Sequence, residues 1–91
     1  MQPKYSNKKQ LILDAVGKVI VRERNKMGKS QRLFADEFDI QRSMICRLES
    51  AQNEPNLLSV WKIANAFGMK ASAFLKLVEN ELGDDCSLID E

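Results

Sequence analysis

Residues 30–50 read SQRLFADEFDIQRSMICRLES, the stretch that decides the fold. Ser30 is a favourable N-cap, because its hydroxyl can accept a hydrogen bond from a backbone N–H of the first helical turn. It predicts a short helix over residues 31–38. A second short helix follows over residues 41–50, after a break of two residues. The sequence therefore predicts two short helices joined by a tight turn.

The apolar residues of this stretch fit the contact between two such helices. Ala35 lies where the helices would cross, and a large side chain there would force them apart. Ile40 would fill the turn between them. The positions expected to face the core are Leu33 or Phe34, Ala35, Phe38, Ile45 and Leu48. Because the last two point inward, the side chains at positions 42, 43, 46 and 47 must share the outward face of the second helix.

Three further helices are predicted around this unit, each from apolar side chains that recur with the helical period. Their bounds and end signals are residues 8–27 with Ser6 or Asn7 before and Gly28 after, residues 57–67 between Asn56 and Gly68, and residues 71–82 before Gly83. No segment alternates apolar and polar side chains as a strand would. The predicted fold class is all-α, a compact five-helix domain over residues 1–83, followed by an acidic, flexible tail over residues 84–91.

Length and composition agree with one small helical domain. The 91 residues are 44% hydrophobic and 30% charged, with four Gly and two Pro. No apolar run approaches the roughly 18 residues that cross a bilayer, and the sequence shows no secretory signal. We therefore expect a cytoplasmic protein with no membrane partner.

The residues that usually carry enzymatic or metal chemistry are missing or isolated. The chain has no histidine, and Cys46 and Cys86 are far apart in sequence, so a zinc site is not expected. There is no Gly-rich phosphate loop and no base paired with a nucleophile. We therefore expect no enzyme, no catalytic residue, no metal and no cofactor.

The net charge of +1 hides a difference between the two halves of the chain. Residues 1–47 hold eleven Lys and Arg against five Asp and Glu, a net charge of +6. Residues 48–91 hold three against eight, a net charge of −5. A basic half can attract phosphate while an acidic half faces away, although charge runs also occur on ordinary solvated surfaces. The asymmetry is consistent with nucleic-acid binding.

The stretch from Ser30 to Ala35 and from Ile40 to Glu49 resembles the Xre/Cro-like, lambda-repressor-like helix-turn-helix family of transcriptional regulators. The resemblance covers residues 16–75. It includes Gly17, Ile20 and Arg24 upstream, and Pro55, Leu57, Val60, Ile63, Ala64, Phe67 and Gly68 downstream. It implies a lambda-repressor-like domain that binds double-stranded DNA, with the helix over residues 41–50 in the major groove.

The resemblance also implies which side chains touch DNA. Those expected at base edges are Gln41, Arg42, Ser43, Met44 and Arg47, and those expected at the DNA backbone are Gln31, Lys29, Arg32, Lys26 and Cys46. Arg42 can present its guanidinium to guanine and Gln41 its amide to adenine, while Met44 can press against a thymine methyl. Gln31 is also expected to brace the recognition helix.

Glu49 is the exception on this helix, because phosphate would repel its carboxylate. In the resembling family this residue often pairs with the arginine that Arg24 matches. The sequence departs from the family pattern at Asp39, where the turn usually has Gly, and at Gln41, where Ser or Thr usually caps the helix. Departures at Glu23 and Lys29, usually apolar positions, indicate somewhat different packing of the first helix.

One short helix reads few base pairs, so proteins of this kind usually bind palindromic sites as twofold dimers. A homodimer is therefore expected. The candidate interface residues are Trp61, Leu75, Leu77 and Leu82, with Leu88 and Ile89 of the tail, and core filling is the alternative for each.

Two other readings stay open at this point. The resembling family includes phage repressors, restriction-modification controllers and antitoxins, and an antitoxin-like module would use its C-terminal helix and tail to bind a protein such as a toxin. RNA binding fits the basic half but not the register of the recognition helix.

Overall fold

The computed structural model describes residues 4–83 and 87–89. Its secondary structure consists of five helices, and the described residues contain no strand: α1 Lys4–Lys26, α2 Gln31–Phe38, α3 Arg42–Glu49, α4 Leu57–Ala66 and α5 Ala71–Leu82. The predicted all-α, five-helix fold class is confirmed. Most of the predicted tail, residues 84–86 and 90–91, lies outside the described residues, as does Cys86.

The predicted bounds hold for α2 and α5 and differ by one residue at the ends of α3 and α4. The start of α1 differs more: the helix begins at Lys4, so positions 6 and 7 lie inside it and the prediction that they cap it is wrong. Residues 4–7 contain no Gly or Pro, and an established helix extends through such residues at little cost. The helix ends as predicted before Gly28, which has a φ of +70°.

Two predicted caps are present. The Ser30 hydroxyl accepts a hydrogen bond from the Leu33 N–H at 3.1 Å, and the Asn56 side chain accepts one from the Ser59 N–H at 2.8 Å. Gln41 precedes α3 without any capping hydrogen bond from its side chain. These caps fix where α2 and α4 begin.

Asp39 forms the turn between α2 and α3 in the left-handed conformation, with φ 56° and ψ 50°. Aspartate adopts this conformation more readily than most residues, although less readily than glycine. The Ile40 N–H then donates to the Ala35 carbonyl at 2.9 Å, and Ile40 itself is buried. The turn therefore closes as the sequence predicted, with Asp39 in the place of glycine.

The centre of the core is aromatic and settles which residue of α2 faces inward. Phe34 is fully buried, whereas Leu33 is 51% exposed. The Phe34 ring stacks on Phe67 with 5.0 Å between ring centroids and tilts against Phe38 at 5.1 Å. Phe34 therefore links α2 to the end of α4.

The long helix α1 supports the rest of the fold, because it packs against both α3 and α5. At Gly17 the approach to α3 is so close that a Cβ atom would lie 2.8 Å from the carbonyl oxygens of Leu48 and Glu49. Real Cβ atoms essentially never come so near, and both oxygens belong to the backbone. Gly17 therefore lets the C-terminal end of α3 rest directly on α1.

Candidate nucleic-acid interface

The helix α3 presents one polar face outward. Ile45 and Leu48 are at most 2% exposed and anchor the helix to the core. The exposed residues are Gln41, Arg42, Ser43, Cys46, Arg47 and Ser50. The outward register predicted for this helix is confirmed, and it leaves these polar groups accessible to a large ligand.

Met44 lies differently from the other residues expected at base edges. Its side chain is half-buried and packs against the core. It borders a cleft of about 300 Å³ between α3 and α4, together with Gln41 and Lys62. Only part of Met44 is therefore accessible from the outward face.

Three arginines of α2 and α3 are exposed, and their guanidinium groups make no ion pair or hydrogen bond within the described part of the chain: Arg32, Arg42 and Arg47. The two lysines expected at the DNA backbone already have partners. The Lys26 ammonium lies 3.0 Å from the Glu23 carboxylate, and Lys29 pairs with Glu37. A phosphate contact by either lysine would therefore exchange one ionic partner for another.

A nearly buried ionic network holds α3 against α1 and α2. The Arg24 guanidinium donates from Nε and Nη2 to the two Glu49 carboxylate oxygens, at 2.7 and 3.0 Å. Gln31 Nε2 donates to Glu49 Oε1 at 2.8 Å. The predicted pairing of Arg24 with Glu49 is confirmed, and so is the bracing role of Gln31.

The Arg24 side chain is 12% exposed and that of Glu49 only 6%. The pKa of the Arg24 guanidinium is raised above its ordinary value, mainly by its hydrogen bonds to Glu49. Burial lowers this pKa, and the negative charge of Glu49 raises it further. The third nitrogen, Nη1, donates to the Lys29 carbonyl at 2.7 Å. The network thus joins α1, the segment before α2 and the end of α3.

The helix-turn-helix family model matches residues 20–74, more than half of the chain. The chain belongs to the Xre/lambda-repressor-like helix-turn-helix family. The match runs from the second half of α1 into α5 and so contains the whole of α2, α3 and α4. A search of curated proteins finds no match to the chain.

Membership of this family makes the protein a DNA-binding helix-turn-helix regulator. The outward face of α3 is the surface on which the family's recognition helix reads DNA. No helix among the described residues is long and apolar enough to cross a membrane.

Sequence reasoning missed the contact that Lys62 makes at this site. Its ammonium donates to the Asp39 carbonyl at 2.7 Å and so ties α4 to the turn before α3. The two residues are 23 positions apart, and an exposed lysine on an amphipathic helix carries no signal of such a contact. Lys62 therefore stabilises the left-handed turn of the helix-turn-helix unit from the outside.

A second accessible surface lies between α4 and α5. Trp61 is 51% exposed, Leu57 64% and Leu75 44%, and the three border a groove of about 410 Å³. The sequence pattern places Leu57 in the fourth helix but does not indicate that it is part of this surface.

Leu77 and Leu82, also expected at an interface, are half-buried and pack against the core. Residues two apart on a helix are separated by about 200° around its axis, so Leu75 and Leu77 face different sides of α5. Among the residues that line this groove, the exposed large apolar side chains are therefore those of Leu57, Trp61 and Leu75.

Proposed function

We propose that the protein is a cytoplasmic, sequence-specific regulator of transcription that binds a palindromic operator as a homodimer, with α3 in the major groove. The observation that carries this proposal is the outward face of α3, where Arg42 and Arg47 are exposed beside Gln41 and Ser43. The helix is held against the rest of the fold by Glu49 and by its buried apolar residues. A rigid helix with accessible hydrogen-bonding groups is what reading of base edges requires.

The dimensions of α3 suit the groove. An α-helix with its side chains is about 10–12 Å across, close to the width of about 12 Å of the major groove of B-DNA. Arg42 can donate two hydrogen bonds to guanine O6 and N7, and Gln41 can pair with adenine. On the α2 side, Gln31, Lys29 and Arg32 are the proposed contacts to phosphate, with Lys26 and Cys46 in the same role.

The experiment that tests the proposal is selection of bound sites from a pool of random duplexes, followed by titration of the winning site at two salt concentrations. We expect a palindromic site and an affinity that falls steeply as salt rises. Failure to enrich any site would contradict sequence-specific binding and favour the alternative, an antitoxin-like module that binds another protein.

Arg42→Ala should weaken binding to the selected operator by about 1–3 kcal/mol and leave binding to random duplex nearly unchanged. The side chain is exposed and makes no hydrogen bond or ion pair within the described residues, so the fold should persist. Parallel titrations of both duplexes, with circular dichroism as the check on folding, measure this.

Lys29→Ala is the matched comparison for this experiment, because a phosphate contact carries no sequence information. It should weaken binding to both duplexes and reduce the salt dependence. Equal losses on both duplexes for Arg42→Ala would contradict its assignment to a base.

The groove between α4 and α5 is the proposed dimer interface, and a second copy of this chain is its proposed occupant. Trp61 and Leu57 expose apolar surface on α4, and Leu75 continues it on α5. Large exposed apolar patches are unusual on monomers, and tryptophan is among the residues that contribute most to interfaces. The proposed interface lies on α4 and α5, so pairing through it does not use the α3 residues that are proposed to contact DNA.

Trp61→Ala should raise the dimer dissociation constant at least tenfold, because truncation of a central interface residue commonly costs 2 kcal/mol or more. Sedimentation equilibrium over a range of protein concentrations measures the constant. Leu11→Ala is the control, since Leu11 is 55% exposed but lies on α1. If only Leu11→Ala weakened the dimer, or if neither variant did, the interface would lie elsewhere.

A further inference from the structure

The first half of α1 is a basic element that the family match does not include, because that match begins at residue 20. Its sequence from residue 4 reads KYSNKKQ and contains Lys4, Lys8 and Lys9 without an acidic residue. This half of the helix lies against the loop that follows α3. Its position there is fixed by two contacts.

The first contact is a hydrogen bond from Gln10 Nε2 to the Ala51 carbonyl, at 3.4 Å. The second is an ion pair between the Lys9 ammonium and the Glu54 carboxylate, at 2.8 Å. Both charged side chains remain accessible, with exposures of 46% for Lys9 and 68% for Glu54. Lys9 and Gln10 of α1 therefore border the loop that follows α3.

The segments that precede and follow α3 differ in the cations that they offer to DNA. Lys29 and Arg32 precede the helix in sequence. Residues 50–61, which form the loop after α3 and the start of α4, contain no Lys or Arg. A helix in the major groove meets phosphates on both walls of the groove, and uncompensated phosphates beside Glu54 would be repelled.

We infer that Lys9 supplies a phosphate contact on the wall of the groove beside this loop, and that it exchanges the Glu54 carboxylate for a DNA phosphate when the operator binds. The inference rests on the proposed docking of α3 and adds a contact surface that the family match does not contain. Glu54 holds the Lys9 side chain beside the loop before DNA arrives. Lys9 and the loop that follows α3 together form this phosphate-binding surface, which we call the clamp.

Lys9→Ala, Glu54→Gln and the control Lys76→Ala test the clamp in titrations of operator and random duplexes at several salt concentrations. Lys76 is an exposed lysine of α5, with no ion pair among the described residues. Lys9→Ala should weaken binding to both duplexes and lower the slope of log K against log salt by about 0.9 per protomer. Glu54→Gln should strengthen binding to both, because it removes a repelling charge, and Lys76→Ala should change neither.

Whether Glu54→Gln strengthens or weakens DNA binding distinguishes the clamp from an ion pair with a purely structural role. If the pair served only to hold the loop, both variants would lower the melting temperature and both would weaken DNA binding, which would overturn the inference. The inference would also be overturned if the slope of log K against log salt were the same for Lys9→Ala as for Lys76→Ala. In either case a wild-type protein that still selects an operator would leave the proposed function standing, whereas failure of the wild type to bind any duplex would refute both.

Discussion

Replacing Phe34 with alanine will lower the free energy of unfolding by about 3–5 kcal/mol, a large part of the total stability of a domain of this size. Phe34 is fully buried, and its ring lies between those of Phe38 and Phe67. Truncation removes this apolar surface from the core and leaves a cavity beside Phe38 and Phe67. Urea denaturation followed by far-ultraviolet circular dichroism measures the loss.

Leu33→Ala is the matched control, because Leu33 precedes Phe34 on the same helix and is 51% exposed. Its truncation should change stability by only about 0.5 kcal/mol. Comparable losses of unfolding free energy in the two variants would contradict the orientation of α2 in which Phe34, and not Leu33, faces the core.

This pair of residues also shows where sequence reasoning ends. Leu33 and Phe34 are both apolar, and α2 has only eight residues, so its periodic pattern fits a core on either side. The choice is made by Phe67, which lies 33 positions further along the chain. Local patterns place the caps, the left-handed turn and the outward register of α3, because each of these depends on residues close in sequence.

Contacts between distant parts of the chain were harder to predict. The pairing of Arg24 with Glu49 came from the family resemblance alone, since two charged residues 25 positions apart form no local pattern. The bond from Lys62 to the turn and the ion pair of Lys9 with Glu54 lie on exposed helix faces and left no signal at all. The partial burial of Met44, Leu77 and Leu82 likewise depends on how the helices cross, which the helical period does not specify.

Glu49→Ala should have the second large effect, a loss of about 2–4 kcal/mol in unfolding free energy. The Glu49 side chain is 6% exposed and accepts two hydrogen bonds from Arg24 and one from Gln31. Its removal leaves a guanidinium that is 12% exposed without its carboxylate. Glu79→Ala is the control, because it removes the same charge from an exposed position that has no ion pair within the described part of the chain.

The DNA affinity of Glu49→Ala distinguishes a role of Glu49 in positioning α3 from the repulsion between its carboxylate and phosphate. Loss of a negative charge at the end of α3 should by itself strengthen binding to phosphate. We expect Glu49→Ala to weaken binding to the operator nonetheless, measured well below its melting temperature, because α3 is no longer held against α1 and α2. Binding that improves, together with a stability equal to that of Glu79→Ala, would show that the network does not orient the recognition helix.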